Sequence, residues 1–219
     1  MIADEIHSIT ESLPEGVRLV AVSKYHPETS IMAAYKAGQR VFGESHVQEM
    51  QRKYAILPKD IEWHFIGHLQ TNKVKYIAPY VSLIHAVDTP KLLAEISKQG
   101  VKCVRTIPCL LQLHVAQEET KFGFSVEEAE AFLQSGEWRE MKGAELRGIM
   151  CMASLTDDES LIAREFEKAR QFFLHAKASY FGDSFCECSW GMSDDYPIAI
   201  KHGSTMVRIG SKIFGNRSY

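Results

Sequence analysis

Short apolar runs rich in β-branched and aromatic residues recur along the chain, each followed by a longer stretch with the period of an amphipathic helix. The runs are VRLVAVSK (17–24), RVFGES (40–45), IEWHFIG (61–67), SLIHAVD (82–88), CLLQLHVA (109–116), LRGIMCM (146–152), SFCECSWGM (184–192) and TMVRIGS (205–211), and they predict eight strands. Between them, PETSIMAAYKAG closes on Gly38, TPKLLAEISKQG on Gly100 and SVEEAEAFLQSG on Gly136, the residue that helix C-termini favour. The longest helical stretch, DDESLIAREFEKARQFFLHAKASYF, puts Leu161, Ile162, Phe166, Ala169, Phe172, Phe173 and Ala176 on one stripe, as an outer helix packed on a sheet requires. Eight regularly spaced β-then-α units fit an α/β fold of the (β/α)8 TIM barrel type; a doubly wound open sheet more often stops at about five or six strands. No proline- or serine-rich linker and no low-complexity tract interrupts the pattern, so residues 1–219 are expected to form a single barrel domain.

Composition narrows the functional classes. The 219 residues can bury a large core. Lys plus Arg number 25 against 28 Asp plus Glu, a net charge of -3, which offers no broad basis for gripping a nucleic-acid backbone. Five cysteines form no CxxC pair; their odd number and apolar neighbours suggest reduced thiols in a cytosolic protein. Cys186 and Cys188 are expected to share one buried strand face. The opening MIADEIHSITESLPEG is acidic and amphipathic, unlike a signal peptide. No apolar run approaches the roughly 18 residues of a membrane span, so a cytoplasmic protein that binds no membrane is expected. No heptad or exposed apolar stripe argues for an obligate dimer, which favours a monomer.

In such a barrel the functional end is the mouth formed by the strand C-termini. Lys24 ends the first run, Glu44 and Ser45 the second, and His64 lies in the third, before Gly67 and His68. Asp88 ends the fourth; His114 is followed after a turn by Lys121 and Gly123; the sixth ends among Met150 and Met152. Lys24 is open to two readings: an amine snorkelling towards a nearby carboxylate, or one held in a partly apolar pocket and ready to condense with an aldehyde. Ser193 precedes Asp194, Asp195 and a short helical run, and so reads as an N-cap, with the two carboxylates expected to face solvent. With Gly210 and Ser211, which open GSKIFG, it outlines a place for a phosphorylated ligand. Arg208, inside the apolar MVRIG, must meet a partner, either in an ion pair or as a planar donor to a flat ligand. His64 and His68 are four apart, but no carboxylate or cysteine completes a metal site. Glu118, Glu119 and Lys121 read equally as a solvated charge cluster.

The segments AVSKYHP, GQRVFGESHVQE, EWHFIGHLQTNK, IHAVDTPKL, EETKFGF and GMSDDYPIAIKHGSTMVRIGSKIFGNRSY resemble, in order and over nearly the whole chain, the motifs of the pyridoxal-phosphate homeostasis proteins (the YggS/PROSC family). The resemblance implies the barrel of the alanine racemase N-terminal domain, pyridoxal-phosphate fold type III, with pyridoxal 5'-phosphate as cofactor. Lys24 would carry it as a Schiff base, and Arg208 would face the pyridine nitrogen. Ser193, Gly210 and Ser211 would hold the phosphate, with His64 and the Lys121 segment near the ring or the open side. Two positions depart from the family pattern. The usual FGEN is FGES, which makes a ring-side asparagine Ser45 and leaves room for a water, and SMGMS is SWGMS, which sets Trp190 beside the phosphate loop.

Electrophilic pyridoxal chemistry is strongest when the ring nitrogen is protonated, and a permanently charged, donor-only arginine disfavours that state. A racemase on this barrel also uses a second β-domain and a tyrosine from a dimer partner, whereas only IFGNRSY follows the last predicted strand. The expectation is a non-catalytic carrier that buffers pyridoxal phosphate and hands it transiently to apo-enzymes. The alternative is a pyridoxal-phosphate-dependent racemase or related enzyme.

Overall fold

The computed structural model describes residues 1–117 and 122–215. Eight parallel strands close into a barrel in sequence order: β1 (Arg18–Val22), β2 (Val41–Glu44), β3 (Glu62–Phe65), β4 (Leu83–Val87), β5 (Ile107–Leu113), β6 (Ala144–Cys151), β7 (Glu187–Ser189) and β8 (Met206–Ile209). Helix α1 (Ile2–Ser12) precedes them. The helices that return the chain from each strand are α2 (Glu28–Lys36), α3 (Val47–Ile56), α4 (Val74–Ile77), α5 (Pro90–Lys102), α6 (Val126–Ser135), α7 (Glu159–Ala176) and α8 (Tyr196–Lys201), with α9 (Ser211–Phe214) after the last. The TIM barrel expected from the eight runs is the fold observed. No described helix is long and apolar enough to cross a membrane.

The runs were almost continuously apolar because strands of a barrel are covered on both faces. A small inner core of Val20, Leu83, Ala86, Leu110, Met150 and Met206 fills the barrel, and a larger shell joins barrel to helices. Local signals set several helix ends. Thr89 accepts from the Leu92 amide with Pro90 at the first turn, Ser125 and Glu128 form a capping box, and Gly136 closes α6 at φ 73°. On α7, Ile162, Phe166, Ala169, Phe172, Phe173 and Ala176 are buried as expected, together with Glu165. Leu161 at the first turn is only partly covered. The helix stops at Ala176 and a π turn continues to Phe181.

Two expectations are corrected. Cys188 is buried but Cys186 is exposed, because β7 begins only at Glu187 and the earlier residue lies outside the strand. Gly100 does not end its helix. Helix α5 runs on to Lys102, and the glycine allows the helix backbone to press on the loop before β6: a Cβ there would lie 2.1 Å from the Gly143 carbonyl oxygen. Gly100→Ala therefore reverses the usual sign. In an open helix interior the change gains about 0.5–1 kcal/mol; here it is expected to cost about 1–3 kcal/mol through overpacking, measurable as a lower urea midpoint with an unchanged slope.

Candidate functional site

Strand β1 shows how a lysine comes to stand at the mouth. Val20 belongs to the inner core, while Leu19 and Ala21 face the shell. Continued by one residue at a time, this alternation turns Val22 inward, Ser23 outward and Lys24 inward. Lys24 thus joins Val22, Ser45, Ser193, Arg208, Gly210 and Ser211 in the wall of a cavity of about 520 Å³, within the ~300–1,000 Å³ of typical small-molecule sites. These residues lie at or just beyond the C-terminal ends of β1, β2, β7 and β8. Six of the seven residues expected at the site are brought together; His64 is not among the wall residues. His26 and Ile66, which no sequence signal singled out, also line the cavity. Glu118, Glu119 and Lys121 lie outside the described residues.

Arg208 is 4% exposed, and no carboxylate among the described residues comes within ion-pair distance of it. It is held instead by neutral acceptors: Nη1 donates to the Ser189 carbonyl at 2.7 Å and to Ser189 Oγ at 2.7 Å, and Nη2 donates to the Cys151 carbonyl at 3.0 Å. Of the five N–H donors of a guanidinium, these bonds leave Nε–H and one on Nη2, and Arg208 is part of the cavity wall. Burial lowers the pKa of this group from its ordinary value, opposed by nearby acidic groups, but an arginine stays charged.

Behind Arg208 runs a chain of buried polar groups that sequence reasoning did not assemble. Ser189 Oγ lies 2.9 Å from His85 Nδ1, and His85 Nε2 lies 3.0 Å from His64 Nδ1. Ser189 Oγ accepts from the guanidinium and has one proton to give; assigned to His85 Nδ1, that proton leaves His85 with its own on Nε2, donated to His64. His64 lies deep in the barrel, 2% exposed. His68 has a different setting: it lies 2.9 Å from Asp88 and stacks on Phe122 at 4.0 Å. The signals for the chain were His64 and His85, histidines inside the apolar runs IEWHFIG and SLIHAVD.

Burial, with the charge of Arg18, holds the His64 pKa down to about 3; burial, then His64, Arg208 and Arg18, holds His85 well below 6.5. Both are neutral in the folded protein at pH 7. Below the unfolded value of about 6.5 the unfolded chain takes up protons that the folded imidazoles refuse, so stability falls as pH drops. Glu44 acts in the opposite sense between 4.5 and about 7, since burial raises its pKa to about 7 against the pull of Lys53. His85→Gln is expected to lessen the loss of unfolding free energy between pH 6.5 and 5 by up to about 1.4 kcal/mol per pH unit, read from urea titrations across that range.

At the other end of the cavity the structure revises the capping role of Ser193. Helix α8 begins at Tyr196 with Asp195 as N-cap, and Ser193 instead accepts from Ser211 Oγ at 3.0 Å. A hydroxyl from the loop after β7 and one from the first residue of α9 thus face one another. Asp194 is exposed, as expected; Asp195 is not, being 8% exposed and accepting from the Met192 amide at 2.5 Å. That bond folds the loop so that Asp195 braces it from within, and burial raises its pKa. Trp190, expected beside the loop of Ser193, is not part of the cavity wall. Ser189 points into the barrel, so its neighbour points out: the indole is wholly buried in the outer shell, edge-on to Phe173 at 6.5 Å. Gly191 follows at φ 93°, and a Cβ there would lie 2.6 Å from that of Ala199.

Comparison with known proteins agrees with this geometry. The alanine racemase N-terminal domain family matches residues 1–218. Proteins named pyridoxal phosphate homeostasis protein are 36% identical over 206 residues in Haemophilus influenzae, covering 93% of this chain and 86% of that one. The Escherichia coli K12 protein of that name is 37% identical over 213 residues, covering 94% and 88%. The structure of PipY from Synechococcus elongatus with PLP bound superposes with a TM-score of 0.89 at 33% identity, covering 98% of this chain and all 100% of that one. Alanine racemase from Bartonella henselae, at 17% identity and a TM-score of 0.75 over 99% of this chain and 58% of that one, shares the fold.

Proposed function

Because this chain belongs to the family of pyridoxal phosphate homeostasis proteins, we propose that it binds pyridoxal 5'-phosphate in the cavity at the barrel mouth, buffers it, and releases it to apo-enzymes. The observation that carries this reading is the convergence of Lys24, Arg208, Ser193, Gly210 and Ser211 on one cavity. The donor set suits the group. Two hydroxyls 3.0 Å apart offer hydrogen bonds to a phosphate, and the turn at Gly210 is tight, since a Cβ would lie 3.1 Å from the Val22 carbonyl oxygen. Lys24 presents a primary amine from the adjoining strand. Ser45 lies in the wall beside it.

The bound group supplies an aldehyde that condenses with a primary amine, the C=N bond forming as water leaves, and a ring that draws electrons when its nitrogen is protonated. Arg208 limits the second property. A guanidinium fixed by three hydrogen bonds to neutral acceptors presents donors to a ring acceptor and has no proton to give at neutral pH. Binding is favoured over carbanion chemistry, and a non-catalytic carrier is the reading that follows. The whole chain would act as one barrel domain and as a monomer. Free thiols at all five cysteines suit a reducing compartment such as the cytoplasm.

The test is α-proton exchange into added amino acids in deuterated solvent, run beside the visible spectrum of the protein titrated with pyridoxal phosphate. A bound chromophore without exchange is expected. Exchange at enzymatic rates would make the protein a racemase or a related enzyme, and no bound chromophore would remove the cofactor from the reading.

A further inference from the structure

The outward face of the lysine-bearing turn holds a second lysine. Lys53 on α3 is fully buried, as is Glu44 at the end of β2, with Glu49 nearby on α3. The three N–H donors of its ammonium have three acceptors: the Ser23 carbonyl at 2.8 Å, Glu44 Oε1 at 2.8 Å and Glu49 Oε1 at 2.7 Å. The same carboxylates grip the turn directly. Ser23 Oγ donates to Glu44 Oε1 at 2.6 Å, and the Tyr25 amide donates to Glu49 Oε1 at 2.7 Å. The Ser23 amide is taken by the Gly43 carbonyl at 3.0 Å. Residues on both sides of Lys24 are thus tied to one buried ion cluster, on the opposite side of the strand from the cavity.

The turn needs that restraint. Tyr25 has φ 68°, the left-handed region that costs a non-glycine residue about 1–2 kcal/mol. In that conformation its amide points to Glu49 and the chain leaves β1 with Lys24 facing inward. A buried ammonium and two carboxylates contribute little net stability, because desolvation offsets their attraction. What they contribute is geometry.

We propose that Lys53, with Glu44 and Glu49, is a positioning device for Lys24: it clamps the Ser23–Tyr25 turn so that the Lys24 amine meets an aldehyde in the cavity. This rests on the reading that Lys24 bonds to pyridoxal phosphate, and the experiment separates the two.

Lys53→Met keeps the length of the side chain and removes its donors, and Glu49→Ala releases the Tyr25 amide at a partly exposed position that tolerates change if the buried substitution does not fold. Each variant is titrated with pyridoxal phosphate and with pyridoxine phosphate, which keeps the ring and phosphate but has a hydroxymethyl group where the aldehyde was. The lysine adduct is trapped with borohydride and located by mass spectrometry. Expected is a tenfold or greater loss of affinity for the aldehyde, a matching slowing of adduct formation, and affinity for the alcohol within twofold of the unsubstituted chain. Parallel losses for both ligands, or no loss for either, would overturn the positioning role. An unsubstituted chain with no adduct, or one whose adduct survives Lys24→Ala, overturns instead the reading beneath it.

Discussion

Lys24→Ala is expected to abolish the borohydride-trapped adduct completely and to leave the barrel intact. The side chain stands in the wall of the cavity and is only partly buried, so truncation opens no void in either core, and stability should change by no more than about 0.5 kcal/mol. Binding does not vanish with the covalent bond. Arg208, Ser193 and Ser211 are untouched, so pyridoxal phosphate should still bind reversibly, with an affinity lower on the order of a hundredfold, equivalent to ~3 kcal/mol. The measurement is a spectral titration with mass spectrometry of the reduced protein. An adduct that persists on another lysine would move the reactive amine elsewhere. Lys53 cannot substitute for it from its place: its ammonium is enclosed on the far side of β1 with three acceptors.

How much of this could be read in advance differs from residue to residue, for physical reasons. The eight strands were legible because barrel strands are covered on both faces and read as apolar runs, and their polar terminal residues marked the mouth. Lys24 was conspicuous for that reason. Lys53 was not: it sits in VQEMQRKYAI, a charged helix whose pattern suggests a solvated lysine, and only the register of α3 against β2 carries it inside. Gly100 shows the ambiguity of glycine, which ends helices and also permits backbones to touch; nothing local distinguishes the two uses. Asp195 and Trp190 differ from expectation for separate reasons. Alternation along β7 sends the indole outward, and the bond from the Met192 amide folds the loop so that the Asp195 carboxylate turns in. Arg208 was recognised as needing a partner, but its anchors are carbonyls and a hydroxyl. Carbonyls are in every residue and carry no sequence signal.

Replacing Arg208 should have the largest effect on stability and binding together. Arg208→Met leaves the Ser189 and Cys151 carbonyls and Ser189 Oγ without the donors they now meet at 2.7–3.0 Å. Hydrogen bonds to a charged group are worth roughly 1.5–3 kcal/mol each, and the acceptors left behind are buried, so a loss of about 3 kcal/mol or more is expected even after some rearrangement. The consequence extends inward, because Ser189 Oγ, which lies 2.9 Å from His85 Nδ1, would lose one of its partners. Affinity should fall at least tenfold for pyridoxal phosphate and pyridoxine phosphate alike, since both present the same ring nitrogen. That contrasts with Lys24→Ala and Lys53→Met, whose losses are confined to the aldehyde. Arg208→Lys sharpens the case: it keeps a positive charge but supplies a point donor in place of a planar fork that spans β6 and β7, so it should recover part of the stability and little of the affinity. Urea unfolding of the ligand-free proteins and titration with both ligands measure the two effects separately. Equal recovery of both by lysine would mean that the charge alone suffices, and the argument from the shape of the guanidinium would fail.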